Sequence, residues 1–340
     1  MLFRSMAGCD INQVYVGIAG SHIKSFDSPG IIAINNQEVR QKDIEAVVQA
    51  AQTVKISDNQ QIIHVLPQEF MVDDHTGIQS PLGMTGVRLV TNVRIVTADM
   101  TALHNLIACC SQAGLNVVEV VLESVAAADA VLTPEEKDQG VGLIDIGGGT
   151  TDLAVFSNGT IKYSWELALG GNNLTNDLSV GLRTPLQEAE ELKYLYGGAL
   201  SSIIKENQMI DVPTVGERKN RKVSQKSLVG ILEARMEEIF QLVDKNIATA
   251  GVRNRIKAGL VLTGGTALLP NVVELAEQVF DMPVRIGYPS NVGGLLEQIN
   301  TPRTTTAVGL VLFGSHSKKF AAQEQGGIFS RFKRWLRGMI

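Results

Sequence analysis

A run of three glycines between two apolar segments constrains this sequence more than any other feature. The run lies in Asp145–Asp152, which reads Asp-Ile-Gly-Gly-Gly-Thr-Thr-Asp. Val141–Ile146 has the length and apolar character of a buried strand. Leu153–Phe156 and Thr160–Trp165 flank the dipeptide Asn158-Gly159, which suits a type I′ turn and predicts a hairpin. The sequence therefore predicts a strand, a glycine loop and a hairpin in succession.

The residues of this loop suit the phosphates of a nucleotide. Consecutive glycines let a backbone approach a ligand closely and point successive N–H groups at it. Asp145, at the end of the predicted strand, can hold Mg²⁺ directly or through water. A glycine-rich hairpin without a ligand is the alternative, and the flanking aspartates and threonines favour the nucleotide. The predicted phosphate-binding residues are Gly147, Gly148, Gly149, Thr150 and Thr151.

A second glycine turn repeats this pattern later in the chain. Gly264, Gly265 and Thr266 follow the predicted strand Leu260–Leu262, and a helix is expected to begin near Asn271. Backbone amides at the start of a helix favour an anion. This turn alone is a weak signal, but together with the first turn it strongly indicates a nucleotide site.

Glu190 and Lys193 lie between the two turns, three residues apart on one face of a predicted helix. They can bracket a ribose or the edge of an adenine. An ordinary exposed ion pair is the other interpretation, and the spacing alone favours it.

Strands and helices alternate along most of the chain, which predicts a mixed α/β protein. Further strands are predicted at Val14–Ala19, Ile31–Ile34, Ile62–Leu66, Val87–Val96 and Val117–Leu122. Helices are predicted at Asp43–Val54, Thr101–Ala113 and Ser124–Val131, and residues 172–256 are predicted to be mostly helical.

Composition excludes several classes of protein. The 340 residues suffice for two or more domains, and the net charge of -5 argues against a general nucleic-acid binder. Two of the three cysteines, Cys109 and Cys110, are adjacent, and no cysteine–histidine spacing suits zinc, so a reducing cytoplasmic setting is expected. No segment approaches the ~18 apolar residues of a spanning helix, so any membrane contact must be peripheral.

The C-terminal segment has the pattern of a helix that lies on a membrane. Apolar residues recur on one helical face at Ile328, Phe329, Phe332, Trp335, Leu336, Met339 and Ile340. The remaining positions include Arg331, Lys333, Arg334 and Arg337, and the segment contains no acidic residue. Basic residues opposite Trp and Phe are typical of helices in the interface of anionic membranes. A helix docked on the protein core is the alternative, but it explains neither the single sign of charge nor the preceding linker at residues 321–327.

Two glycine turns with a Glu-x-x-Lys helix between them resemble the actin/Hsp70/sugar-kinase superfamily. In this resemblance Asp145–Asp152 is the second phosphate loop and Gly264–Asn271 is the adenosine motif. The resemblance implies that ATP and Mg²⁺ are the cofactors and that Glu190 and Lys193 contact purine and ribose. It also implies that Glu123 positions Mg²⁺ or the attacking water. Gly170, Gly171 and Asn172 correspond to the glycines that open the next domain's helix.

Ile63–Phe70 and Gly77–Leu89 are similar to the FtsA family, in which this stretch forms subdomain 1C. The resemblance implies an actin-like (ribonuclease H-like) two-domain ATPase fold. Residues 1–10 are a remnant or scar, 11–97 form 1C, and 98–138 with 301–320 form the returning part of 1A. Residues 139–182 with 257–300 form 2A, and 183–256 form 2B. A linker at 321–327 and an amphipathic membrane helix at 328–340 complete the chain. His64 and Glu69, within the 1C stretch, are interpreted as structural residues.

The family's first phosphate loop, Gly-x-Asp-x-Gly, has no counterpart before Cys9. The resemblance therefore implies that the first part of 1A is absent here and that the natural protein is longer. Weakened or absent ATP binding and an exposed apolar sheet edge are the expected consequences.

The FtsA resemblance implies an adaptor for cell division rather than an enzyme, with at most slow ATP hydrolysis. Such an adaptor polymerises as an actin-like filament on the cytoplasmic membrane at the septum. It anchors FtsZ by binding the C-terminal tail of FtsZ, and it recruits later divisome proteins. Arg235 and Glu238 in 2B are the predicted FtsZ contacts, with a solvated helix face as the alternative for Arg235. A small-molecule kinase and a pilus-assembly adaptor are the rival functions, and the stretch from His64 to Leu89 argues against both.

Overall fold

The computed structural model describes residues 11–35, 37–214, 220–290, 292–293 and 296–321. The chain forms two compact units. The first contains the described residues up to Asp129, Gly159–Trp165 and the described residues from Thr306 onward. The second contains Ala130–Asn158 and Glu166–Thr305. Each unit is therefore built from separate stretches of the sequence.

An antiparallel four-stranded sheet with the order β2-β5-β3-β4 forms one part of the first unit. Its strands are β2 (Lys24–Ala33), β3 (Gln60–Val72), β4 (His75–Ile78) and β5 (Arg88–Asp99). Helix α1 (Gln41–Gln52) covers one face of the sheet.

The core between α1 and this sheet follows from the sequence pattern. Ile44, Val47, Val48 and Ala51 are spaced to lie on one helical face, and all four are buried. They pack against apolar strand residues that include Phe70, Val93 and Ile95. This face of the sheet is therefore a conventional apolar core.

The other part of the first unit contains two parallel strands, β1 (Gln13–Ile18) and β6 (Asn116–Leu122). Helices α2 (Met100–Gln112), α3 (Glu123–Val131) and α10 (Thr305–Ala321) accompany them along the chain. Most residues of the two strands are only half-buried.

A five-stranded sheet with the order β13-β12-β7-β8-β9 carries the two glycine turns. Its strands are β7 (Val141–Ile146), β8 (Thr151–Ser157), β9 (Thr160–Leu167), β12 (Leu260–Thr263) and β13 (Val284–Ile286). Every residue of β7, β8 and β12 is buried, and the hairpin predicted around the Asn-Gly turn is confirmed.

The helices of the second unit are α4 (Pro134–Gln139), α5 (Gly171–Leu182), α6 (Leu186–Tyr196), α7 (Gln225–Thr249), α8 (Val272–Phe280) and α9 (Leu296–Ile299). The apolar stripe of α7, from Leu232 to Ile247, is buried. The segment 172–256 also contains the antiparallel strands β10 (Met209–Val212) and β11 (Arg221–Ser224). The prediction of a mostly helical segment missed both strands, because four residues are too few to display a period of two.

Two strands are longer than the sequence indicates, because each continues through a proline. Pro29 and Gly30 lie inside β2, which is an edge strand of its sheet and tolerates the missing N–H of proline. Pro67 lies inside β3 beside a bulge. The predicted strands Ile31–Ile34 and Ile62–Leu66 therefore correspond to parts of β2 and β3.

The linker and membrane helix predicted after residue 320 lie outside the described residues, except for Ala321, which ends α10. In the part of the chain that the structure describes, no helix is both long enough and apolar enough to cross a membrane.

Candidate nucleotide site

The first glycine turn is a short loop with an open tip. Gly147 N donates a 2.9 Å hydrogen bond to Thr150 O and closes the loop between β7 and β8. Gly148 and Gly149 are exposed, and a Cβ added at Gly149 would have no atom within 4 Å. The tip therefore presents its backbone to solvent, as a phosphate-binding loop requires.

The start of α5 holds this loop in place. Gly171 N donates to Gly147 O at 2.9 Å, and Asn172 N donates to Gly148 O at 2.7 Å. A Cβ at Gly170 would lie 2.8 Å from both of these carbonyl oxygens, so only glycine fits there. The predicted residues 170–172 therefore position the phosphate loop through their own backbone.

The second glycine turn lies directly beside the first. β12 runs parallel to β7 with Thr263 opposite Asp145. Gly264 has a φ of +86°, and a Cβ there would lie 2.4 Å from Asp145 Oδ1. Thr266 Oγ1 donates to Gly147 O at 2.9 Å. The structure thus brings together the two turns that the sequence analysis singled out.

Asp145 and Thr151 lie at the buried base of the loop. Asp145 is 6% exposed, and Thr151 is fully buried with its hydroxyl donating to Leu169 O at 2.8 Å. The Thr151 hydroxyl is therefore used within the protein, whereas Thr150 is partly exposed. In the described ranges no three His, Cys, Asp or Glu side chains come together as a metal site. A Mg²⁺ beside Asp145 would take its other ligands from phosphate and water.

Glu190 and Lys193 form the ion pair that their spacing suggested, with Nζ 2.7 Å from Oε2. Lys193 Nζ also donates to Thr175 Oγ1 at 2.8 Å and to Gly171 O at 3.1 Å, and Thr175 bonds Glu190. Burial raises the pKa of Glu190, but hydrogen bonds from Lys193 and Thr175 and the charges of Lys193 and Arg303 together hold it below its usual value. The pair is therefore anchored to the helix that holds the phosphate loop.

Arg303 is a site residue that the sequence analysis missed. It is exposed, and its side chain runs beside the second turn, where a Cβ at Gly265 would lie 3.9 Å from Arg303 Cγ. Its charge also lowers the pKa of Glu190. A lone arginine in a connecting segment carries no periodic or motif signal, so only the folded structure reveals its position.

Arg235 links two helices of the second unit. Its guanidinium bonds Asp177 on α5 twice, with Nε 2.5 Å from Oδ2 and Nη2 3.1 Å from Oδ1, and Nη1 bonds Glu238. Hydrogen bonding to Asp177 raises the pKa of Arg235 despite partial burial. The guanidinium of Arg235 is thus used in bonds within the protein. Glu238 lies next to it on the outer side of α7.

Glu123 lies in the first unit, at the first residue of α3. Its side chain passes close to Gly17, where a Cβ would lie 2.8 Å from Glu123 Cγ. The catalytic role that the resemblance implies for Glu123 stays a prediction.

Solved structures of the same fold include two bacterial proteins. The type IV pilus protein in a PilM–PilN complex has a TM-score of 0.63 at 17% identity, covering 92% of this chain and 82% of that one. MreB5 of Spiroplasma citri, solved with ADP bound, has a TM-score of 0.53 at 24% identity, covering 66% of this chain and 68% of that one. These two likenesses show that the chain has an actin-like fold.

Sequence comparisons are more specific. The model of the family "Cell division protein FtsA" matches residues 142–309, and that of the "SHS2 domain inserted in FTSA" matches residues 20–97. The cell division protein FtsA of Pseudomonas aeruginosa is 42% identical over 347 aligned positions, which cover 98% of this chain and 83% of that protein. The chain belongs to the FtsA family of cell-division proteins.

Proposed function

We propose that this protein is an ATP-binding adaptor that polymerises as an actin-like filament on the cytoplasmic face of the membrane, anchors FtsZ there and recruits later divisome proteins. The observation that carries the proposal is the pair of glycine turns, joined by the hydrogen bond from the Thr266 hydroxyl to Gly147 O, in a chain of the FtsA family. We place its site of action at the division septum.

The nucleotide would be held mainly by the second unit. The exposed backbone of Gly148 and Gly149 and the hydroxyl of Thr150 suit the β- and γ-phosphates, and Asp145 suits Mg²⁺. Glu190, Lys193 and Arg303 flank the region expected for ribose and adenine. Bound ATP would supply phosphate charge here, and Mg²⁺ would neutralise part of that charge. We expect the nucleotide to act chiefly as a structural ligand, with hydrolysis slow at most.

Thermal unfolding with and without MgATP tests this site. A ligand that binds only the folded state at 100 times its Kd adds about 2.7 kcal/mol of stability, which raises the Tm. A clear increase would support the proposed site. A melting curve that saturating MgATP leaves unchanged would contradict it and would support the weak binding expected from the sequence.

Membrane attachment is proposed for the amphipathic segment 328–340. Its four basic residues, Arg331, Lys333, Arg334 and Arg337, each contribute about 1 kcal/mol near an anionic surface, and Phe329, Phe332, Trp335 and Leu336 supply the apolar face. One such helix binds with modest affinity. Several helices in one filament would bind strongly through multivalency.

The FtsZ tail is proposed to bind the outer side of α7 around Arg235 and Glu238. Glu238 is half exposed, whereas Arg235 is mostly covered and holds α7 to α5 through Asp177. Arg235 therefore fixes the position of α7, and the outer side of α7 forms the proposed binding surface. An extended peptide with polar and apolar side chains could dock on such a helix surface.

Recruitment of labelled FtsZ to liposomes tests the adaptor function directly. We expect recruitment to anionic liposomes by the full chain, and none by a variant that lacks residues 328–340. A matched variant that keeps the aromatic residues but replaces the four basic residues with glutamine should lose most recruitment. Neutral liposomes provide the lipid control. Equal recruitment by the full chain and the tail deletion would contradict the proposed role of the tail.

A further inference from the structure

Helices α5 and α7, which both belong to the second unit, are joined at two neighbouring positions. At the first position Gly181 of α5 meets Ile231 of α7, since a Cβ on Gly181 would lie 2.9 Å from Ile231 Cδ1. At the second position, one turn away on each helix, Asp177 of α5 pairs with Arg235 of α7. The residue numbers fall along α5 as they rise along α7, so the two helices run antiparallel and form one continuous surface.

A cation lies at one end of this surface. Arg221, the first residue of β11, is half-buried, and its Nη2 donates a long bond of 3.4 Å to Gly181 O, one of the last carbonyls of α5. Arg221 Nε is buried and has no hydrogen-bond partner among the described residues. A guanidinium N–H that is removed from water without an acceptor is costly. This end of the surface is therefore suited to a carboxylate from a partner.

The other end of the surface carries an excess of negative charge. Arg235 bonds both Asp177 and Glu238, so two carboxylates share one guanidinium and one negative charge is left over. The Glu238 side chain is 51% exposed, whereas that of Asp177 is 25% exposed. The uncompensated charge is therefore accessible mainly at Glu238, where it can attract a cation.

Apolar side chains lie between the two charged ends. Ile231 is half-buried, and Val180, next to Gly181, is one of the most exposed large apolar side chains of the described residues. Gly181 and Asp177 are one helical turn apart, or about 6 Å along α5, and Glu238 adds roughly another 4–5 Å along α7. The charged ends are therefore separated by roughly 10 Å, which an extended peptide spans in about three residues.

We propose that the surface formed by α5, α7 and Arg221 binds a peptide segment in which an acidic and a basic residue flank two apolar residues. The acidic residue binds Arg221, the apolar residues pack on Val180 and Ile231, and the basic residue reaches Glu238. Opposite charges at the two ends fix the direction of the peptide. Arg221 therefore determines specificity for the acidic residue. The inference rests on the proposed function only in taking the FtsZ tail as the natural source of the segment.

Fluorescence anisotropy of the full chain with a labelled synthetic peptide tests this site. The peptide has the core Asp-Leu-Val-Lys between glycine and serine residues, and a second peptide has Lys in place of the Asp. We expect Arg221→Glu to weaken binding of the first peptide by about tenfold and to bind the second peptide better than the first. Lys222→Glu is the matched control, because it changes the net charge equally on the other face of β11, where Lys222 is paired with Asp211. This control should leave both affinities unchanged.

Three results would overturn the site. One is the absence of binding of the first peptide to the unmodified protein. Another is an equal loss of affinity in Arg221→Glu and Lys222→Glu, which indicates a general charge effect. The third is a folded Arg221→Glu variant that still prefers the first peptide. Arg221→Gln, which removes only the charge, decides the question if thermal unfolding shows that Arg221→Glu is not folded. It should weaken binding of the first peptide and leave binding of the second unchanged or stronger.

An FtsZ-tail peptide measured with the same variants separates this site from the proposed function. Weaker binding to Arg221→Glu than to Lys222→Glu is the expected result. If the FtsZ tail does not bind the unmodified protein but the synthetic peptide does, the proposed anchoring of FtsZ fails and the peptide site stands. If the FtsZ tail binds all variants equally and the synthetic peptide binds none, the peptide site fails and the anchoring of FtsZ stands.

Discussion

His64 Nε2 accepts the backbone N–H of Leu122 at 2.9 Å. His64 lies on β3 of the four-stranded sheet and Leu122 ends β6, so this bond connects the two sheets of the first unit. The Phe313 ring of α10 lies edge-on at 6.4 Å from the imidazole. An Nε2 that accepts cannot carry a proton, so His64 is neutral with its proton on Nδ1.

The burial of His64 predicts acid sensitivity. Desolvation lowers the pKa of His64 from 6.5 to about 4. The unfolded chain binds this proton at higher pH than the folded protein does, so stability falls as the pH drops from about 6.5 to about 4. At 1.36 kcal/mol per pKa unit the loss is about 3 kcal/mol. Urea unfolding of the protein at several pH values measures it.

His64→Gln is the control for this prediction, because the glutamine oxygen can accept the Leu122 N–H and does not titrate. The carboxylates that protonate near pH 4 contribute equally to both proteins. The difference between the two stability profiles therefore isolates His64. Identical slopes between pH 6.5 and pH 4 would rule out the assignment of His64 as a buried neutral acceptor.

A pair of glycine substitutions separates structural from binding roles in the glycine turns. Gly264→Ala forces a side chain onto a φ of +86° and puts Cβ 2.4 Å from both Asp145 Oδ1 and Ile146 O. We expect it to lower the free energy of unfolding by roughly 2–3 kcal/mol. Gly149→Ala meets no atom within 4 Å, so its stability should change by no more than about 0.5 kcal/mol.

MgATP binding by the same two variants completes this test. Gly149→Ala should weaken binding although the fold is intact, because its methyl group projects from the tip expected to hold phosphate. Chemical denaturation and a fluorescent ATP analogue measure the two properties. Undiminished binding by Gly149→Ala would argue that the tip does not contact the nucleotide.

The candidate site was largely predictable because each of its motifs is local. Val141–Ile146 signals a buried strand by itself, and a glycine run after such a strand signals close approach of a ligand. β7 matches its predicted range, and the second turn follows β12 as expected. The sequence did not predict which hydrogen bonds the individual side chains make. The Thr151 hydroxyl donates to Leu169 O, and this bond was unpredictable because the two segments meet only in the folded chain.

The face of the four-stranded sheet that carries Arg94 and Asp27 was not predictable for the same reason. Whether Glu69 shares a face with Arg94 depends on a single extra residue in β3, and the sequence around Pro67 does not reveal the bulge. A shift of one residue in register reverses every side chain. The sequence predicts only a structural role for Glu69, and its contact with Lys162 depends on the register of strands that are distant in sequence.

Arg303 provides a test of the nucleotide site that leaves the fold unaffected. Its side chain is exposed beside Gly265, so Arg303→Met should change stability by no more than about 0.5 kcal/mol. Loss of its charge should raise the Kd for MgATP by about tenfold, which corresponds to 1.4 kcal/mol. Isothermal titration calorimetry measures both affinity and stoichiometry. Arg88→Met is the control at an exposed arginine outside the site, and an equal loss of affinity there would indicate a general charge effect.

Substitutions at Arg235 and Asp177 test whether Arg235 contacts the FtsZ tail directly or only positions α7. Because the Arg235 fork is engaged by Asp177, we expect Arg235 to act by positioning α7 against α5. Arg235→Met and Asp177→Asn should then weaken binding of an FtsZ-tail peptide by similar factors, and the double variant should add little. Fluorescence anisotropy with the labelled peptide measures all four proteins. If Arg235→Met abolished binding while Asp177→Asn preserved or strengthened it, Arg235 would contact the peptide directly.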